Sequence, residues 1–241
     1  MKKFLHILLL YIPLGFVAAS VLWVVVLKWM PVVRTPLMDI RAREYRGQDY
    51  RAHKKWVRLE DISPNMVMAV IASEDNRFME HNGFDRIEIQ NALEERKEGK
   101  RIRGASTISQ QTAKNVFLTP SRTLVRKAAE AWFTVLIEFI WGKERIMEVY
   151  LNVIETGKGL YGVQAAANCY FGTDAARLSE RQSALIASAL PNPLKRDPAH
   201  PSAYMTRRSR QVLSLMHKVP RPDWKKPSQN EKPRERVKSA T

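Results

Sequence analysis

Glu74 is the first residue of this 241-residue chain whose setting suggests chemistry. Ser63-Pro64 reads as a helix start, a capping residue followed by proline at the first helical position. The helix is expected to continue through Val67, Val70, Ile71 and Phe78 and to stop at His81-Asn82-Gly83. Glu74 stands four residues after Val70, three after Ile71 and four before Phe78, so it shares their apolar face. A carboxylate there is partly desolvated, which raises its pKa toward the range a general base needs. The same pattern also fits a buried glutamate paired with an arginine or capping a backbone group. Asp75 and Arg77 lie beside it, and His81 taken alone reads as a structural or capping histidine.

The stretch from Glu74-Asp75-Asn76-Arg77-Phe78 to His81-Asn82-Gly83 resembles the first motif of the family 51 glycosyltransferases, E-D-x-x-F-x-x-H-x-G. Gly104-Ala105-Ser106-Thr107-Ile108-Ser109-Gln110-Gln111 with Lys114-Asn115 resembles their second, Arg126-Lys127-Ala128-Ala129-Glu130 their third. Glu148-Val149-Tyr150-Leu151-Asn152 is similar to the fourth, and Tyr161-Gly162-Val163-Gln164 with Tyr170-Phe171-Gly172 to the fifth. The departures are Ala105 for a glycine, Ser109 for threonine and Thr112 for an apolar residue. None removes a group the chemistry needs. The likeness is to the monofunctional branch, because no serine here has a lysine three residues later, as a transpeptidase nucleophile would.

The resemblance implies a substrate: lipid II, a disaccharide-pentapeptide on undecaprenyl pyrophosphate. It implies that the 4-hydroxyl of one GlcNAc joins C1 of the MurNAc at the end of the growing glycan strand. A sugar hydroxyl is a poor nucleophile and needs a base, the role that falls to Glu74. Pyrophosphate leaves readily but needs cations at its developing charge, a task suited to Lys114, Arg126 and Arg77. Asp75, Phe78, His81, Ser106, Thr107, Gln111 and Asn115 complete the expected substrate-binding set. Ser106 or Thr107 also caps the following helix, whose end favours anions. Glu130 is the second catalytic carboxylate. It either orients the cations or helps hold a divalent metal, Mg or Mn; no organic cofactor is expected. Its bland alternative is a salt bridge to Arg126, weak in that order on a helix. A single displacement inverts the donor to a β-1,4 link.

These residues need a mostly α, lysozyme-like scaffold. Helices are expected over 106–117, 122–140 and 143–154, then over 161–170, closed by Gly172. Another opens with a capping box at Ser179 and Gln182 and stops before Pro191, and a last one covers 204–217. No stretch has the two-residue alternation of a strand. The basic loop 96–104 reads as a solvated hinge or as a clamp over the acceptor. Asn115, Glu148, Tyr150 and Asn152 either brace helices or touch substrate. Phe117, Leu118, Trp132 and Phe133 belong to the core or dip into a bilayer.

Residues 4–27 form an apolar run free of Asp, Glu, Lys and Arg, with His6 in it, and at 1.5 Å each about 24 residues span roughly 36 Å, enough for a tilted membrane helix. The run passes well beyond Ala18-Ala19-Ser20, longer than the apolar region of a cleaved signal peptide. The expected organisation is therefore a short cytoplasmic N-terminus (1–3), an anchor (4–27) and a juxtamembrane connector (28–60). A glycosyltransferase domain (61–218) and a basic disordered tail (219–241) follow. Basic residues after the anchor outnumber Lys2 and Lys3, so the charge rule does not favour an outward domain. The single-pass, inner-membrane, periplasm-facing placement is what the resemblance implies.

The net charge of +16 points to a polyanionic partner. With a single cysteine, Cys169, and no RNP-like motif, nucleic acid is disfavoured against membrane lipids and a phosphorylated substrate. Other wall-synthesis or division proteins are further candidate partners. Two competing readings stand: a lysozyme-like lytic enzyme, which needs a general acid for a sugar leaving group, and a non-catalytic membrane scaffold.

Overall fold

The computed structural model describes residues 2–99 and 106–224, with side chains from residue 11 onward. Among these residues the helices are α1 (Lys2–Trp29), α2 (Pro36–Glu44), α3 (Pro64–Glu74), α4 (Arg86–Lys97), α5 (Ile108–Phe117), α6 (Leu124–Ile140), α7 (Gly142–Val153), α8 (Val163–Phe171), α9 (Glu180–Ala189) and α10 (Ala203–Met216). The fold is mostly helical, as expected. Residues 100–104 of the basic loop and 225–241 of the tail lie outside the described residues.

Local signals account for most helix starts. Ser63 caps α3 by accepting from the Asn65 N–H at 3.3 Å, with Pro64 at the first helical position. The capping box at Ser179 and Gln182 opens α9 as expected. Gly172, in the left-handed region, closes α8. The core lies where α3 packs on α9 and α10, and α5 on α6 and α7. Every residue of α3 from Met66 to Ala72 is buried, as are Ile146, Met147, Val149, Tyr150 and Leu151 of α7.

Three expectations are corrected. The first is the end of α3. It stops at Glu74, with Asp75 as an extended cap, and Phe78 reaches the core from the turn that follows. Secondly, residues 28–60 are no free connector. His53–Lys54 (β1) pairs in parallel with Leu160–Tyr161 (β3), whose other edge carries Glu155–Gly157 (β2) antiparallel. Asn152 exchanges hydrogen bonds with the Val57 backbone (2.9 and 2.8 Å), Glu148 accepts from the Leu59 N–H (3.0 Å), and Arg41 grips both oxygens of Glu155. Thirdly, the expected disordered tail begins too early, because Val219 and Trp224 pack on the core.

The anchor is joined to the domain. Within α1, Tyr11–Trp29 is long and apolar enough to cross a membrane, and it fits a single-pass anchor. Its C-terminal half lies along α6. Trp132 donates to the Ser20 hydroxyl (3.1 Å), Trp141 to the Val24 carbonyl (2.7 Å), and Arg145 to the carbonyls of Leu27 (2.8 Å) and Met30 (2.6 Å). Trp23 meets Phe117 edge-on at 5.2 Å, and Phe117 stacks on Phe133 at 4.3 Å. Phe117 and Phe133 are thus buried where α5 and α6 meet the anchor.

Gly162 shows how tightly the small sheet is built in. It sits at φ 79°, and a Cβ there would come 2.8 Å from the Asn152 carbonyl oxygen, a backbone atom. Gly162→Ala should destabilise the domain by about 2–4 kcal/mol, combining a left-handed non-glycine residue with a backbone clash. Thermal unfolding read by circular dichroism checks this: an unchanged Tm would show that the loop yields.

Candidate active site

Glu74 is the last residue of α3, where the helix ends beside the N-terminal half of α5. One carboxylate oxygen accepts from the Ser73 hydroxyl at 3.3 Å, the other from the Gln111 side-chain amide at 3.1 Å. Burial pushes its pKa above the ordinary carboxylate range, against the pull of the two hydrogen bonds and of the Arg208 guanidinium. That is the setting of a base rather than of an inert ion pair.

Lys114 lies one turn further along α5. Burial lowers its pKa, opposed by Glu130 and by Glu74, while Arg126 and Lys127 add to the lowering. The ammonium therefore sits within the fields of both carboxylates and of two more cations. On α6, Glu130 is buried and receives Arg126 on one oxygen and Lys127 on the other. Arg126 Nε is buried without a hydrogen-bond partner among the described residues, a donor left over for a ligand. Glu130 thus gathers cations, and the pairing with Arg126 that was the bland alternative is here a buried clamp.

The remaining expected substrate contacts divide. Asp75 is buried and spends both oxygens internally, on His81 Nε2 (2.9 and 3.1 Å) and on the Ile108 N–H (3.0 Å). The Gly83 N–H donates to His81 Nδ1 at 3.2 Å, so both ring nitrogens are engaged. Thr107 accepts from the Gln110 N–H and donates to the Gly83 carbonyl at 2.7 Å, closing a capping box with Gln110. Phe78 is fully buried, with Lys143 Nζ 4.4 Å from its ring centroid. Arg77 turns to Glu80 (3.0 Å) and Asp85 (3.6 Å).

Asp75, His81 and Thr107 are thus engaged in hydrogen bonds within the fold, and Phe78 in the core, so each helps to frame the site. Arg77 lies beside the carboxylates of its own loop, and its buried Nε has no hydrogen-bond partner among the described residues. The frame has a purpose: Asp75 and Thr107 seat the start of α5, which aims Gln111 and Lys114 at Glu74. It also gives the N-terminus of α5 an internal carboxylate, where the sequence pointed to an anion of the substrate. Ser106 is exposed ahead of α5, and Asn115 is half-buried beside Lys114. Glu148 and Asn152 are braces for residues 57–59, as their hydrogen bonds show.

The chain matches the family described as Transglycosylase over residues 41–217. It belongs to the transglycosylase family. A Bacteroides thetaiotaomicron protein named biosynthetic peptidoglycan transglycosylase is 57% identical over 208 residues, 86% of this chain and 84% of its own. Proteins of the same name from Caulobacter vibrioides and Bdellovibrio bacteriovorus are each 51% identical, over 211 and 201 residues. They span 88% and 83% of this chain, and 90% and 80% of their own lengths.

The transglycosylase site does not suit a resident metal. Both Glu130 oxygens carry cations, and Lys114 adds a third positive charge. Asp75, His81 and Asp85 offer ligand atoms within 4.8 Å of one another. Asp75 and His81 are bonded to each other and to the amides of Ile108 and Gly83, and Asp85 Oδ1 to the amides of Ile87 and Glu88, while Asp85 Oδ2 faces Arg77 at 3.6 Å. A pocket of about 330 Å³ between Leu59, Ile62, Val67, Met68 and Trp224 lies at the other end of α3 from Glu74. It takes no part in the site.

Lys127 and Arg208 belong to the site and were absent from the expected set, and Tyr150, expected to brace a helix or touch substrate, bonds the Gln111 side chain. Lys127 was legible in principle, three residues before Glu130 on the same helix. Arg208 reaches the Ser73 carbonyl at 3.4 Å from 135 residues away, and no local pattern announces that.

Proposed function

We propose that this transglycosylase polymerises lipid II into β-1,4 glycan strands on the outer face of the cytoplasmic membrane. The observation that carries the reading is a desolvated carboxylate, Glu74, linked through the field of Lys114 to a cation cluster built on a second carboxylate. Glu74 takes the proton from the 4-hydroxyl of the acceptor GlcNAc. The oxygen attacks C1 of the donor MurNAc while the bond from C1 to the pyrophosphate oxygen breaks. Lys114 and Arg126 receive the negative charge that develops on the leaving group. Glu130 holds Arg126 and Lys127 in place, one on each carboxylate oxygen. The attack comes from the face opposite the pyrophosphate, which inverts the α-linked donor to a β product.

A cationic cluster beside the second carboxylate suits a phosphate leaving group and not a sugar alcohol, which separates this reading from the lytic one. The apolar α1 serves as the anchor and keeps the site at the membrane, where a polyprenyl substrate resides. Other proteins of wall synthesis are natural neighbours of such an enzyme.

The full chain in detergent, incubated with radiolabelled lipid II and resolved by gel electrophoresis, tests the reading. Long strands are the expected product. Shortening of preformed glycan without polymer would install the lytic reading. Lipid II binding with no turnover would leave a scaffold.

A further inference from the structure

The base is not held by its nearest neighbours alone. Gln111, from α5, donates its side-chain N–H to Glu74 at 3.1 Å, and its carbonyl oxygen accepts from the Tyr150 hydroxyl at 3.3 Å. Tyr150 lies in the middle of α7, with 1% of its surface exposed. An amide side chain has two ends of similar size and opposite polarity, so only its partners decide which end faces which way. The Tyr150 hydroxyl stands at the oxygen end as a donor, which favours that end facing it. Here the carboxylate demands a donor, and the phenol has a proton to give, so the two partners agree on one orientation.

We propose that Tyr150 is a positioning residue for the catalytic base: its hydroxyl pins the Gln111 amide so that the N–H, and not the oxygen, faces Glu74. The inference rests on Glu74 being the base. Burial raises the phenol pKa well above its ordinary value, so Tyr150 stays a donor throughout the working pH range. The other charged groups bearing on Glu74 are Asp75 beside it, Lys114 from α5 and Arg208 from α10. None of these touches the Gln111 amide oxygen among the described residues.

Without the hydroxyl, the amide is free to turn its oxygen toward Glu74, an arrangement that only a protonated carboxyl tolerates. The hydrogen bond that favours the ionised base is then weakened. Tyr150→Phe should therefore move the acid limb of the polymerisation rate upward by about one pH unit, a tenfold loss well below the midpoint. Near the alkaline plateau most of kcat should survive, and KM should stay within about twofold. Gln111→Met should shift the limb the same way, and adding Tyr150→Phe to it should cause no further shift.

The experiment is a pH–rate profile of the full-length enzyme on lipid II for the wild type, Tyr150→Phe, Gln111→Met and the double variant, with Tm measured for each. A pH-independent fall in rate for Tyr150→Phe would assign Tyr150 a packing role and overturn the proposal. So would additive shifts in the double variant. Should Tyr150→Phe fail to fold, an unmoved acid limb in Gln111→Met overturns it equally. Glu74→Gln keeps the two readings apart: if that variant still polymerises, the base assignment itself fails, whereas its inactivity beside an unmoved Tyr150→Phe limb rejects only the relay.

Discussion

Glu74→Gln should abolish strand synthesis while leaving the protein more stable. Glutamine keeps the size of the side chain and an oxygen to accept from Gln111, but it takes no proton from an acceptor hydroxyl. A positioned base contributes about 10²–10⁴-fold, so kcat should fall by about that factor, with substrate binding largely retained. Stability moves the other way. Burial raises the carboxyl pKa in the folded chain above its unfolded value. Folding therefore favours the protonated form, and the stability it contributes is lost as pH rises through the folded pKa. Where it ionises, the wild type carries a desolvated charge that the glutamine variant lacks. The variant should melt at a higher temperature at pH 7, and the gap should close as the pH falls below the unfolded carboxylate range. Gel analysis of strands and melting curves at several pH values check both halves. An active variant, or one less stable at neutral pH, contradicts the reading of a strained base.

Lys114→Met should lower kcat by about 10²–10³-fold, the loss typical of removing one preorganised group aimed at developing charge. The effect should fall on kcat rather than KM, because the charge on the leaving pyrophosphate grows on the way to the transition state. Folding should be preserved, since Arg126 and Lys127 still neutralise Glu130. Burial depresses the Lys114 pKa below its ordinary 10.5. The ammonium is therefore lost on the alkaline side earlier than for a free lysine, and the wild-type rate should decline there. Steady-state kinetics across pH would show this. A raised KM with unchanged kcat would make Lys114 a binding residue only.

The features legible in the sequence are those encoded locally. Ser179 and Gln182 announce α9 because a capping box needs only four consecutive residues. The anchor declares itself by length and lack of charge. Glu74 stands out through its apolar neighbours, although α3 stops at Glu74 and the position of Phe78 has another cause. The strands go unannounced because runs of two or three residues carry no alternation. Helix α4 does too because it has no buried face, although Asp85 caps it through the Ile87 and Glu88 amides. The chemical identity of the site residues is visible in the chain, but not which of them are spent on one another. Asp75 looks like a reactive group in a sequence, and only its burial and its bonds to His81 and to the Ile108 amide show that it holds α5. Tyr150 and Arg208 come from α7 and α10 to neighbours of the base, Gln111 and the Ser73 carbonyl, so their roles depend on packing that no spacing reveals.

The seam between α1 and α6 bears on how substrate is met. A catalytic domain tethered by a loose linker would sample many heights and tilts above a bilayer. This one is clamped to its own anchor through Trp132, Trp141 and Arg145. On the proposed function, with α1 in a membrane, every encounter with a lipid-borne substrate would happen at one depth and in one attitude. Diffusion is reduced from three dimensions to two, and the alignment entropy is settled when the chain folds rather than at each sugar added.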